Sequence, residues 1–138
     1  NKMREEVSAG IILFNENKER NFLLLNYPSG HWDFVKGKME DGEDTRTTAL
    51  RETREETGIT DIEFCNGFEE EIEYYFRIEG KEIHKKVIFF LGKTATTNVK
   101  LSHEHLNFIW LDFQHALEKI TYQNAKNLLK KSRNFLDD

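Results

Sequence analysis

Three glutamates, Glu52, Glu55 and Glu56, stand close together in this chain. Helix positions three and four apart share a face, so on a helix these carboxylates converge. Like charges at that spacing repel by a few tenths of a kcal/mol when solvated, and crowding them further requires a cation. Hard oxygen ligands on a fixed backbone suit Mg²⁺ or Mn²⁺, which in turn hold phosphate oxygens. By residue type alone, the commoner outcome for such a cluster is a solvated acidic face, here paired with Arg51 and Arg54.

The element that must position them is a helix running to Gly58. Asp44 or Thr45 offers the side-chain oxygen that closes its N-terminus, and Gly58 suits the left-handed residue just past its end. Ala49, Leu50, Thr53 and Thr57 make a small or apolar side that can pack on a sheet. Gly37 and Gly42 let the preceding loop bend closely around a ligand.

Spacing sharpens this reading. The order is Gly37, five residues, Glu43, seven residues, Arg51-Glu52, two residues, Glu55-Glu56, one residue, Gly58-Ile59. It resembles the signature of the Nudix hydrolases, which cleave a nucleoside diphosphate linked to another group. Thr53 is the one departure, standing where the family usually has an aliphatic residue; its methyl can still pack. Further segments are similar to the asymmetric diadenosine tetraphosphate hydrolases of that family: H-W at His31-Trp32, G-F-E-E-E-I-E-Y-Y-F from Gly67, K-K-V-I-F-F-L from Lys85 and L-S-H-E-H-L-N-F-I-W-L over Leu101 to Leu111. The likeness covers most of residues 5 to 111 and weakens in the C-terminal helix. Phe34-Val35 replaces the prolines that animal members carry, which bears on loop shape and substrate choice.

The resemblance implies a metal-dependent phosphoanhydride hydrolase converting diadenosine tetraphosphate and water to ATP and AMP. Mg²⁺ or Mn²⁺ would be held by Glu52, Glu55 and Glu56, with the Lys36 carbonyl as a further ligand. Glu104 would be a fourth carboxylate, and either Glu52 or Glu104 would act on the attacking water. Tyr74 matches a tyrosine that stacks on adenine, worth ~1–3 kcal/mol per base, although its neighbours Ile72 and Phe76 fit a core aromatic as well. His31 and Trp32 would share that pocket or pack, and Lys36 and Lys85 would meet the polyphosphate. Arg51 would tie the helix to its loop through Glu43, with Gly37 and Gly58 as the other structural positions of the motif. The histidines flanking Glu104, His103 and His105, are disfavoured as metal ligands because neighbours in an extended segment point apart.

Bulk properties agree with a small enzyme. The chain has 138 residues, 38% hydrophobic and 33% charged, with a formal net charge of -5. That length suits one domain over 1–138, and eleven Phe supply core volume. The acidic balance argues against a stable nucleic-acid partner. Cys65 is the only cysteine; no intrachain disulfide is possible, and a packing role is expected. No apolar run reaches a membrane span, so a cytoplasmic monomer acting on a small nucleotide is the expectation.

Coarse patterning predicts strands over 4–14, 22–26, 31–34, 61–67, 68–78, 83–91 and 107–111, with alternation from Phe68 placing Ile72, Tyr74, Phe76 and Ile78 on one face. Residues 112–135 read as helical with a break near Thr121. The fold class is α/β (α+β): a Nudix α/β/α sandwich, a mixed sheet between helical layers. Rival readings are an RNA 5′ pyrophosphohydrolase, which would need a basic path for its strand, and a catalytically silent nucleotide-binding module, which would usually have lost its motif glutamates.

Overall fold

The chain order is β1 (Arg4–Asn15), β2 (Asn21–Asn26), β3 (Trp32–Asp33), β4 (Val35–Lys38), α1 (Thr45–Thr57), β5 (Glu63–Ile78), β6 (Lys81–Lys93), β7 (Asn107–Leu111), α2 (Phe113–Lys119) and α3 (Gln123–Asp137) in a computed structural model describing residues 3–105 and 107–138. Leu106, within the quoted Leu101 to Leu111 segment, lies outside the described residues, as do residues 1 and 2.

Strand β1 is the spine. Ile12 and Phe14 face one layer while Ala9, Ile11 and Leu13 face the other. The same alternation divides Phe22 and Leu24 from Leu23 and Leu25, and Val87, Phe89 and Leu91 from Ile88 and Phe90. Strands buried on both faces read as unbroken apolar runs, as these do. Helix α1 enters the second layer through Ala49, and α2 and α3 enter the first through Ala116, Ala125, Leu128 and Leu129. The expected α/β/α sandwich therefore forms. Its sheet is mixed, because β1 and β6 run parallel while the other paired strands are antiparallel.

The path order is β3-β2-β1-β6-β5, with β4 on β1 and β7 on β2. Only Phe34 separates β3 from β4. The run thus leaves β2, where Asp33 and Trp32 pair, and crosses to β1, where Lys36 lies opposite Gly10 and Gly37 opposite Ala9. This crossing delivers Lys36-Gly37 to the middle of the sheet, beside α1.

Several expectations change. The predicted strands 61–67 and 68–78 are one strand, β5, with an irregular register between Phe64 and Glu69. Phe76 and Ile78 do not join a core: they are exposed, because the β5–β6 hairpin runs past the helices that would cover it. Leu50 is also exposed; one residue beyond Ala49 is a 100° turn off the buried stripe. The break near Thr121 is real. It is held by the Trp32 N–H donating to Thr121 Oγ1 at 2.8 Å and the Thr121 N–H donating to the Trp32 carbonyl at 3.2 Å. Cys65 packs half-buried against the first layer, and burial pushes its thiol up, as fits a packing role. Among the described residues no helix is long and apolar enough to cross a membrane.

Candidate active site

Helix α1 starts at Asp44, whose Oδ1 accepts from the Thr47 N–H at 2.8 Å. It ends at Gly58, whose φ of 76° is the left-handed closure, with its N–H on the Arg54 carbonyl. The buried stripe is Thr48, Ala49, Thr53, Glu56 and Thr57. Its hydroxyls satisfy themselves along the helix: Thr53 Oγ1 donates to the Ala49 carbonyl at 2.7 Å, and Thr57 Oγ1 to that of Thr53 at 2.6 Å. The aliphatic-to-Thr53 departure is thereby absorbed with no unpaired polar atom at that position.

The small stripe lets α1 lie close on β1 and β4, and its one acid, Glu56, is carried inward with it. Glu56 is only 3% exposed. Glu52, one turn earlier, lies against Gly37, where a Cβ would overlap its carboxylate. Glycine at 37 is required for that approach. Burial pushes the Glu52 carboxyl up to about 7, with Glu56 adding and Arg51 opposing. Burial likewise pushes Glu56 up to about 7; the charges of Glu104 and Glu55 add and Lys36 opposes. The two carboxyls act on one another, so the pair titrates jointly.

Arg51 brackets the loop. Its Nε and Nη2 donate to the two Glu43 oxygens at 2.6 and 3.0 Å, and Nη2 also reaches the Lys38 carbonyl at 2.9 Å. The guanidinium holds the Glu43 carboxyl down at about 2. Thr48 Oγ1 donates to Glu43 as well, at 2.8 Å. The same Arg51 meets Glu52 and Glu55 through Nη1, both at 3.1 Å.

Two cavities flank this frame and share Lys36. One, of about 470 Å³, is lined by Glu52, Glu56, Glu104, Tyr27, Gly37 and His105 among others. The other, of about 600 Å³, is lined by Asp33, Tyr74, Tyr75, Phe76, Lys85 and the first residues of α3. An acidic cavity and an aromatic one thus have Lys36 as a common lining residue. Asp33 Oδ2 holds the Lys36 ammonium there at 3.4 Å.

The site residues fall into four groups. Glu52, Glu56, Glu104 and Lys36 are brought together; Tyr74 and Lys85 share the second cavity with Lys36. Glu55 stays outside, turned to solvent and held by Arg51, because its helix position is 100° from that of Glu56. His31 and Trp32 line neither cavity. His31 stacks flat on Tyr27, with ring centroids 4.7 Å apart, and backs Tyr122 at 5.3 Å. The Trp32 ring packs on the first layer under the Lys119 ammonium, while its backbone fixes the α2–α3 corner.

Four contributors had no clear signal in the sequence: Tyr27, Asp33, Tyr122 and His105. His105 overturns its premise. Residues 102–105 form a turn instead of an extended segment, with the His105 N–H on the Ser102 carbonyl at 3.3 Å. His103 stays exposed, while His105 is buried with Nε2 3.1 Å from Glu56 Oε1. Burial lowers the His105 pKa, so the ring is neutral and this is a dipole contact, not an ion pair. The approach lacks hydrogen-bond alignment, and Glu56 Oε1 counts as a buried oxygen without a donor. Two adjoining carboxyls raised by burial, with Glu104 on the same cavity wall, are oxygen donors that a hard cation satisfies. The residues fit a divalent metal, although among the described residues no three acidic, His or Cys side chains already surround one point.

A profile of the NUDIX domain matches residues 4–132. The chain belongs to the Nudix hydrolase family. A Nudix relative from Mus musculus, a bis(5'-nucleosyl)-tetraphosphatase [asymmetrical], is 34% identical, with 94% of this chain and 94% of that protein covered. The protein of the same name from Caenorhabditis elegans is 33% identical over 94% of this chain and 95% of that one. The crystal structure of a C. elegans Ap4A hydrolase binary complex superposes with a TM-score of 0.84 at 33% identity, covering 96% of this chain and 98% of that one. Nudix hydrolases generally use divalent metals, in keeping with the acidic chamber.

Proposed function

We propose that this Nudix hydrolase is an asymmetrical bis(5'-nucleosyl)-tetraphosphatase, cleaving diadenosine tetraphosphate with water to ATP and AMP. The observation that carries the proposal is the pair of cavities joined at Lys36. A dinucleoside polyphosphate needs a chamber for phosphate chemistry and a neighbouring aromatic one for a base, and Lys36 lines both.

Glu52, Glu56 and Glu104, with the Lys36 carbonyl and Glu55 at the rim, would hold Mg²⁺ or Mn²⁺. Such an ion, when bound, neutralises polyphosphate charge and lowers the pKa of water. Lys36 and Lys85 supply mobile positive charge to the phosphates. Tyr74 stacks on an adenine, and Tyr122 closes the opposite wall. Glu52 or Glu104 accepts the proton of the attacking water, as a carboxylate within reach of it can. Arg51 and Glu43 keep the loop in register with the helix. The protein acts as a single cytoplasmic domain, as a monomer and without a nucleic-acid partner, in keeping with its charge of -5 and lone cysteine.

A competition among diadenosine tetraphosphate, triphosphorylated RNA, 8-oxo-dGTP and ADP-ribose tests this. The highest kcat/KM is expected for diadenosine tetraphosphate, with ATP and AMP as products. Preference for any other member of the panel, or two ADP as products, would refute it.

A further inference from the structure

His105 sits where two acidic segments meet. Its side chain is 4% exposed, wedged edge-on against the Tyr27 ring with centroids 4.7 Å apart. Nε2 faces Glu56 Oε1 at 3.1 Å, and Nδ1 lies 3.4 Å from Ser102 Oγ. Ser102 Oγ in turn accepts from the Glu104 N–H at 3.4 Å, and the Ser102 N–H donates to the Glu56 carbonyl at 3.4 Å. One imidazole therefore connects the acid of α1 to the turn that carries Glu104. Ser102 Oγ lies beside Nδ1, which leaves Nε2 as the ring nitrogen turned toward Glu56.

We propose that His105 is a positioning residue: through Ser102 and Glu56 it sets the distance between the α1 carboxylates and Glu104, and so the shape of the cation site they form. The inference rests on reading those carboxylates as metal ligands. A group packed behind a metal ligand, against its outer oxygen, limits the ligand's rotamers before the ion arrives; here Nε2 stands 3.1 Å from Oε1 without hydrogen-bond alignment. Glu56 cannot swing into the Tyr27 side while Nε2 is there, so its other oxygen stays toward the chamber. A plain core histidine would not need its Nε2 directed at a buried acid, nor its Nδ1 served by the turn that bears another.

The test is Mn²⁺ affinity of the substrate-free protein by calorimetry, together with Tm, kcat and KM, for wild type, His105→Phe, His105→Gln and Ser102→Ala. Phe keeps the volume and the Tyr27 contact but has no N–H; Gln places an N–H near the position of Nε2. His105→Phe is expected to weaken Mn²⁺ binding roughly ten- to hundred-fold, to lower kcat, and to leave the nucleotide KM nearly unchanged. His105→Gln is expected to recover most of that loss, and Ser102→Ala to weaken binding in the same direction but less. Wild-type Mn²⁺ affinity in His105→Phe, or equal losses in the Phe and Gln variants, would overturn the proposal. If both His105 variants fail to fold, Ser102→Ala decides: unchanged affinity overturns it and weakened affinity supports it. Wild-type protein that binds no Mn²⁺ would overturn the reading of the site, and this inference with it.

Discussion

Glu56 bears opposite demands from stability and from function. It is the one acid on the buried stripe of α1, and folding pulls it out of water. A carboxyl raised on folding binds its proton more tightly in the folded state. The stability that protonated Glu56 contributes to the metal-free protein is therefore fully present below the ordinary carboxylate value of 4.5 and is lost as pH rises through about 7. Glu56→Gln removes this burden. We expect it to cut turnover by orders of magnitude while raising the Tm of the metal-free protein at pH 8, by roughly 3–5 °C if about 1 kcal/mol is recovered. At pH 5 the gain should vanish. Thermal scans at both pH values, with kcat at saturating Mn²⁺, check it; a Tm that falls at pH 8 would contradict the account. At this scale the sequence was legible where chemistry depends on spacing along one helix. It was not legible for Tyr27, Asp33, Tyr122 or His105, which reach the site from separate segments and have no fixed spacing to it. Glu55 stands at the rim, held by Arg51, since adjacent helix positions differ by 100° and Glu56 takes the inward one.

At the scale of elements, the decisive joint is between α1 and the loop before it. Five contacts from one guanidinium, to Glu43, Lys38, Glu52 and Glu55, fasten it. Arg51→Ala leaves Glu43 without its partner and releases the 38–43 segment from the helix. The expected result is a roughly hundred-fold fall in kcat/KM, of the size that a 1 Å misplacement produces, with a modest fall in Tm. Activity within twofold of wild type would show that the loop keeps its course without the bracket. The helix was readable from Asp44 and Gly58, because caps depend on local chemistry. The β5–β6 hairpin was only half readable. Alternation set which residues share a face, but how far the covering helices extend is a tertiary matter, and Phe76 and Ile78 fall beyond their reach. Trp32 shows the same limit: its partner, Thr121, lies 89 residues away.

For the whole molecule, the mixed sheet is what makes one site out of distant parts. The β3–β4 run changes partners at Phe34, and this places Lys36 between the chamber lined by α1 and the 102–105 turn and the one lined by β5, β6 and α3. The sandwich itself was evident from the doubly buried apolar runs of β1, β2 and β6. The crossing was not, because Phe34 looks in sequence like the middle of one strand. The account's central claim is that the buried acids of α1 form a divalent-cation site opening toward Lys36. Crystals soaked in Mn²⁺ and mapped by anomalous scattering test it most directly. The account predicts a peak in coordination contact with the Glu56 carboxylate, on the chamber side facing Glu104, and its loss in Glu56→Gln; an empty chamber, or a peak held only by exposed acids elsewhere, would contradict it.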